Sequence, residues 1–103
     1  MPQRASSVNG CVKIKFLGIL KKTYGSSEAS LEIGNRAKLK DVIQKLAESS
    51  PALAHTLVDA ELKDPRPNAV ILVNGREISA LNGLETPVEA GDEVVFVPVV
   101  HGG

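Results

Sequence analysis

The sequence predicts an α+β fold, a mixed sheet of four to five strands packed on one main helix, with a flexible C-terminal diglycine tail. Three observations predict it. Apolar–polar alternation of period two opens the body of the chain, and a continuous apolar run of strand length closes it. A single amphipathic helical period lies between these runs, and an Asn-Gly pair joins two apolar-rich stretches in the second half.

Each element follows in order. Residues 1–10 (MPQRASSVNG) are polar and without pattern and are expected to form a flexible lead-in. From Cys11, the residues Val12, Ile14 and Phe16 alternate with Lys13 and Lys15, which marks a half-buried strand. The apolar run is expected to continue that strand through Leu17-Gly18-Ile19-Leu20 and to break near Tyr24-Gly25-Ser26-Ser27. A second strand is expected over 29–33, with Leu31 and Ile33 inward, so that the first two elements make a hairpin with a long polar loop.

Leu39, Val42, Ile43, Leu46 and Ala47 fall at i, i+3, i+4, i+7 and i+8, the apolar stripe of a helix lying on a core. Asp41 in its first turn suits the positive end of the helix dipole, and Pro51 stops it. A short second helix over about 52–58 would bury Leu53 and Leu57, leaving His55 exposed or packed rather than catalytic. A polar loop with two prolines spans 59–68, and strand residues 69–73 follow. Asn74-Gly75 then supplies the two positive-φ positions of a tight hairpin into Arg76-Glu77-Ile78. Past Pro87-Val88 and a Gly91-Asp92 turn, the last strand is Glu93-Val94-Val95-Phe96-Val97. The helical crossover permits a parallel strand pair, and the first and last strands are expected side by side at the sheet centre. The arrangement is a β-grasp, with a domain over 11–98 and an extended tail over 99–103.

Composition narrows the function classes. At 103 residues and 43% apolar content, the chain is one domain able to bury its own core. Twelve basic residues balance twelve acidic ones, so no basic stripe argues for direct nucleic-acid binding. No apolar run approaches about 18 residues and none follows Met1 as a signal core, so no membrane partner is expected. The lone Cys11 cannot form an internal disulfide, and a cytoplasmic location fits. Paired cysteines for a metal, a phosphate loop and a His-Glu-x-x-His helix are all lacking from the sequence, so no metal, no bound cofactor and no catalysis by this chain alone are expected.

The distinctive stretch is the end, Phe96-Val97-Pro98-Val99-Val100-His101-Gly102-Gly103. Two glycines carry no Cβ and can enter a slot too narrow for side chains. Pro98 to Gly103 reaches at most about 20 Å when extended, far enough to place the Gly103 carboxylate inside a partner's active site while the domain stays outside. That carboxylate is ionised at pH 7 and a poor electrophile. A partner using ATP could convert it to an acyl-adenylate, open to attack by a thiolate or persulfide. Val99, Val100, His101, Gly102 and Gly103 are therefore the residues expected to enter the partner, with His101 as a spacer. A second feature concerns the sheet. If Val94 and Phe96 face the helix, Val95 and Val97 face away, and Val70-Ile71-Leu72-Val73 must likewise divide between two faces. The far face should carry an apolar patch that docks a partner, unless the loop at 59–68 covers it.

At this point a resemblance emerges. Asn74-Gly75-Arg76-Glu77-Ile78, then Gly91-Asp92-Glu93-Val94, then Pro98 and Gly102-Gly103 resemble the ubiquitin-like sulfur carriers and modifiers, over about residues 11–103. That group includes the small subunit of molybdopterin synthase, the thiamine sulfur carrier, the archaeal small modifiers and the ubiquitin-related modifier. The resemblance implies a carrier or modifier that is not itself an enzyme. Gly103 would be adenylated by an E1-like adenylyltransferase using ATP and magnesium, then converted with a sulfur donor enzyme to a thiocarboxylate. It implies partners in a tRNA thiolation enzyme or a molybdopterin synthase large subunit, and in modifier members the joining of the same glycine to target-protein lysines. Val95, Val97 and Pro98 carry over as part of the surface that docks the activating enzyme. The free chain is expected to be a monomer. Two alternatives stand beside this reading: an obligate small subunit of molybdopterin synthase, and a plain interaction domain with an incidental tail.

Overall fold

The computed structural model describes residues 10–57 and 69–99. Gly10 is already part of the body: it is buried, and its carbonyl accepts a 2.6 Å hydrogen bond from the Ile33 N–H. Strand β1 (Cys11–Phe16) keeps the predicted alternation, with Val12, Ile14 and Phe16 fully buried.

The strand stops where Gly18 takes φ +56, and Gly18–Tyr24 forms helix α1. The expected continuation of the strand through Leu20 is thus corrected. A left-handed glycine takes the chain out of the extended region, and only one residue of the following turn, Leu20, needs the core. Tyr24, one turn later, stacks on Phe16 with ring centroids 4.5 Å apart. The helix ends at Gly25, whose N–H reaches the Lys21 carbonyl at φ +95, as expected of a left-handed glycine cap.

Strand β2 (Glu28–Glu32) returns antiparallel to β1, pairing Ile14 with Ala29 and Val12 with Leu31. The predicted hairpin is therefore present, with a helix rather than an irregular loop between its arms. A three-residue strand β3 (Arg36–Lys38) then leads into helix α2 (Leu39–Ser49), which buries Leu39, Val42, Ile43 and Leu46 as the spacing predicts. The Asp41 carboxylate accepts the Lys38 N–H at 3.3 Å, satisfying a backbone donor at the helix start. Pro51 opens helix α3 (Pro51–Leu57), where its missing N–H costs nothing, and the Ser50 hydroxyl accepts the Leu53 N–H. Leu53 is fully buried. The side chain of Leu57, expected to be buried, and the stretch 59–68, expected to be a polar loop, lie outside the described residues.

Strands β4 (Ala69–Val73) and β5 (Arg76–Glu77) form the Asn-Gly hairpin, with Asn74 and Gly75 at φ +52 and +83. Two short 3-10 turns, Ile78–Ala80 and Gly83–Glu85, connect to β6 (Pro87–Glu89) and then β7 (Glu93–Pro98).

The main sheet has the order β2-β1-β7-β4-β5, and β3 pairs with β6 in a separate two-stranded ribbon. The first and last strands are parallel neighbours at the centre, with Phe16 beside Phe96 in register and their rings 5.9 Å apart. The α2 stripe, Leu20 and Leu53 close over one face of this sheet, forming a single apolar core with Val12, Ile71 and Val94. Burying each such side chain contributes roughly 1.5–3 kcal/mol. The other face of the sheet carries no helix among the described residues.

Candidate functional site at the open sheet face and the tail exit

The open face is built by alternation. In β7, Val94 and Phe96 are fully buried against the helices, so Val95 and Val97 project outward and are half-buried. In β4, Ala69, Ile71 and Val73 point inward, leaving Val70 and Leu72 outward, with Val70 39% exposed. The antiparallel register places Val95 opposite Leu72 and Val97 opposite Val70. Cross-strand neighbours lie about 5 Å apart, and successive outward residues on one strand about 7 Å apart. Four aliphatic side chains therefore form one continuous patch.

A polar rim borders the patch on β1. Lys15 stands beside Val95 in the parallel register, and its ammonium lies 3.1 Å from a Glu93 carboxylate oxygen. Both partners are more than a third exposed, so the pair contributes little to stability. Lys13 is exposed, and Cys11 is a partly exposed free thiol at the far end of the same strand.

At the other end of β7, Pro98 pairs with Ala69 and is the final residue of the strand. Proline has no N–H for a ladder, which fits its position where pairing ends. The chain leaves the sheet there, beside Gly18: a Cβ on Gly18 would lie 2.9 Å from the Pro98 ring carbon Cγ. Val99 is the last described residue and is half-buried. Val100, His101, Gly102 and Gly103 lie outside the described residues.

Of the site residues predicted from sequence, Val95, Val97 and Pro98 are thus brought together along one strand. Val70 and Leu72 join them, as the face argument requires. Leu17 was not legible as a surface residue. It is still extended (φ −113, ψ 160), so it continues the outward column of Lys13 and Lys15, and its N–H donates to the Phe96 carbonyl at 3.1 Å. It is 47% exposed, one residue past the Phe16–Phe96 pair. The signal in the sequence is the run Phe16-Leu17-Gly18-Ile19-Leu20, too apolar for every residue to share one core.

The motif residues behind the resemblance meet at the opposite end of β7. The Asn74 amide donates to an Asp92 carboxylate oxygen at 3.0 Å, and its oxygen accepts the Glu93 N–H at 2.9 Å. The Asn74 N–H bonds the Glu93 carbonyl at 2.8 Å, and the second Asp92 oxygen takes the Glu89 N–H at 2.8 Å. These residues hold the start of the strand whose far end becomes the tail. Among the described residues no cluster of three or more His, Cys, Asp or Glu could hold a metal ion, and no helix is long and apolar enough to cross a membrane. His55 is exposed near the end of α3, remote in sequence from the strands of the patch.

This fold and site define a ubiquitin-like carrier or modifier domain. The chain belongs to the ThiS family, whose model matches residues 14–103. It is 30% identical over 93 residues to small archaeal modifier protein 3 of Haloferax volcanii, covering 89% of this chain and 98% of that protein. It is 32% identical over 95 residues to ubiquitin-related modifier 1 of Schizosaccharomyces pombe, covering 89% of this chain and 98% of that protein. The solution structure of small archaeal modifier protein 1 from Methanosarcina acetivorans superposes with a TM-score of 0.75 at 33% identity, covering 90% of this chain and 96% of that one. The relatives carry the names of modifiers, and this chain is a protein of that kind rather than an enzyme.

Proposed function

We propose that this protein is a sulfur carrier and protein modifier whose reacting group is the carboxylate of Gly103. The observation that carries the reading is the course of β7: a central strand flanked by an open apolar face runs out at Pro98, four residues before a diglycine. Val95, Val97 and Pro98, with Val70 and Leu72, dock an E1-like adenylyltransferase. Val99, Val100, His101, Gly102 and Gly103 enter its active site.

The chemistry runs in two stages. A carboxylate oxygen of Gly103 attacks the α-phosphorus of ATP, held with magnesium by the partner, and pyrophosphate leaves. A persulfide sulfur of a donor enzyme then attacks the Gly103 carbonyl carbon and AMP leaves, giving an acyl disulfide. A second thiol cleaves its S–S bond, forming a disulfide with the donor and releasing the thiocarboxylate. That species passes sulfur to an acceptor such as a tRNA or a molybdopterin precursor. Attack by a lysine amine on the activated carbonyl would instead give an isopeptide bond to a target protein. The carrier acts in the cytoplasm, where thiols stay reduced.

The test is intact mass. Incubation with a family-matched activating enzyme, magnesium, ATP and a persulfide donor should raise the mass by the difference between sulfur and oxygen. Deletion of Gly103 should abolish the gain. An unchanged mass under conditions that charge a related carrier would overturn the reading.

A further inference from the structure

Three large apolar side chains among the described residues are conspicuously exposed: Leu17 at 47%, Ile19 at 56% and Val70 at 39%. All three lie at one end of the molecule. Val70 is opposite Val97, Leu17 follows Phe16 at the end of the parallel pair with its N–H donating to the Phe96 carbonyl, and Ile19 follows Gly18, where a Cβ would meet the Pro98 ring. Gly18 is what permits this grouping. Its φ of +56 turns the chain sharply out of the sheet, and its missing Cβ leaves room for the Pro98 ring. Leu20, the next residue after Ile19, is buried, so the turn presents Leu17 and Ile19 outward while anchoring itself through Leu20.

The tether makes this grouping consequential. Gly103 follows Val99 by four residues, which span at most about 14 Å even when fully extended. An enzyme that holds the Gly103 carbonyl at its reacting centre must bring the mouth of its channel to within that distance of Val99. It cannot do so without pressing on whatever surrounds the exit. Docking on the open sheet face accounts for contact on one side of the exit only.

We propose that Leu17 and Ile19 form an apolar collar on the other side, seated against an apolar lip of the enzyme that accepts the tail. The collar rests on the tail reading above and adds a second, separate contact to it. It acts on binding of the carrier and takes no part in the chemistry at Gly103.

The experiment measures ATP-dependent pyrophosphate release by a family-matched activating enzyme as a function of carrier concentration. Leu17→Ser, Ile19→Ser and the double variant are compared with the unaltered chain, and Lys22→Ser serves as an exposed control on the same short helix. The double variant should raise KM by about tenfold or more while kcat stays within about twofold, as loss of two apolar contacts at an interface does. Its urea midpoint should match that of the parent. Ile19→Met, which restores apolar contact, should recover most of the KM. An unchanged KM for the double variant, with Gly103 deletion still abolishing turnover, would overturn the collar and leave the tail reading standing. A fall in kcat at constant KM would also overturn it, since docking would then be intact. Absence of turnover with the unaltered chain would overturn both.

Discussion

Asn74 has two roles that substitution can separate. Its backbone sits at φ +52, which costs most L-residues about 1–2 kcal/mol, and its amide makes two bonds that hold Asp92 and Glu93. Asn74→Gly keeps the turn and loses the amide, so it should lower stability by about 1 kcal/mol; Asn74→Ala loses both and should cost about 2–3 kcal/mol. Urea unfolding of the two variants checks the ordering, and an equal cost would mean that the positive-φ position itself contributes nothing. Gly10 shows the same logic in a tighter place. A Cβ there would lie 1.5 Å from the Gly34 carbonyl oxygen, a backbone atom that no side-chain rotation can move away. With φ at +85 as well, Gly10→Ala should cost about 2–4 kcal/mol in the same measurement. Asn74-Gly75 was legible because the pair has one common structural use. The fit of Gly10 was not, because its neighbour Gly34 is distant in sequence and neither residue announces the contact.

At the scale of elements, Glu85 ties three segments together. One carboxylate oxygen lies 2.8 Å from the Lys38 ammonium at the end of β3, and the other 3.0 Å from Lys40 in the first turn of α2. Hydrogen bonds from Lys38 and then Lys40 hold the Glu85 carboxyl below its ordinary range, and Glu85 in turn raises Lys38. A depressed carboxyl binds its proton less tightly in the folded state than in the unfolded one. Its contribution is therefore present above the unfolded pKa, about 4.3, and is lost as pH falls through the folded value. Glu77 shifts in the same direction because the Ser79 hydroxyl and N–H donate to it. Glu85→Gln should therefore lower stability slightly near neutrality, where the exposed, screened pair contributes modestly, and converge with the parent near pH 3, so that its decline below about pH 4.5 is shallower. Denaturant midpoints at pH 3 and pH 7 check this, and a parallel offset at both would exclude the linkage. The elements that Glu85 joins were unevenly legible. The α2 stripe stands out because four buried residues repeat with helical period. Strand β3 does not, since it has three residues and only Ala37 turned inward. Helix α1 was missed because seven residues with one buried leucine are too short to show a period, and the preceding strand lends them its apolar character.

For the whole molecule, one strand joins two ends with different roles. The start of β7 is held by Asn74 and Asp92, and its far end delivers the chain past Pro98 toward Gly103. Between them every side chain belongs either to the core or to the open face. The sequence made this division legible, because adjacent valines cannot share a side; it could not show that Leu17 extends the face around the exit, which depends on the turn at Gly18. The division yields a comparison between neighbours of identical chemistry. Val94→Gln places an amide in the core with no partner and should cost about 3–5 kcal/mol, enough to depopulate the native state of a domain this size. Val95→Gln places the same amide on the half-exposed face, where water and the Lys15 rim can satisfy it, and should cost no more than about 1 kcal/mol. Charging of Gly103 should reverse the ranking once corrected for the folded fraction. Val95→Gln should raise KM for the activating enzyme severalfold because it interrupts the docking patch, whereas the folded fraction of Val94→Gln should be charged as the parent is. Equal loss of charging per folded molecule would mean that the open face does not dock the enzyme. The tail would then be recognised through its exit and its own residues alone.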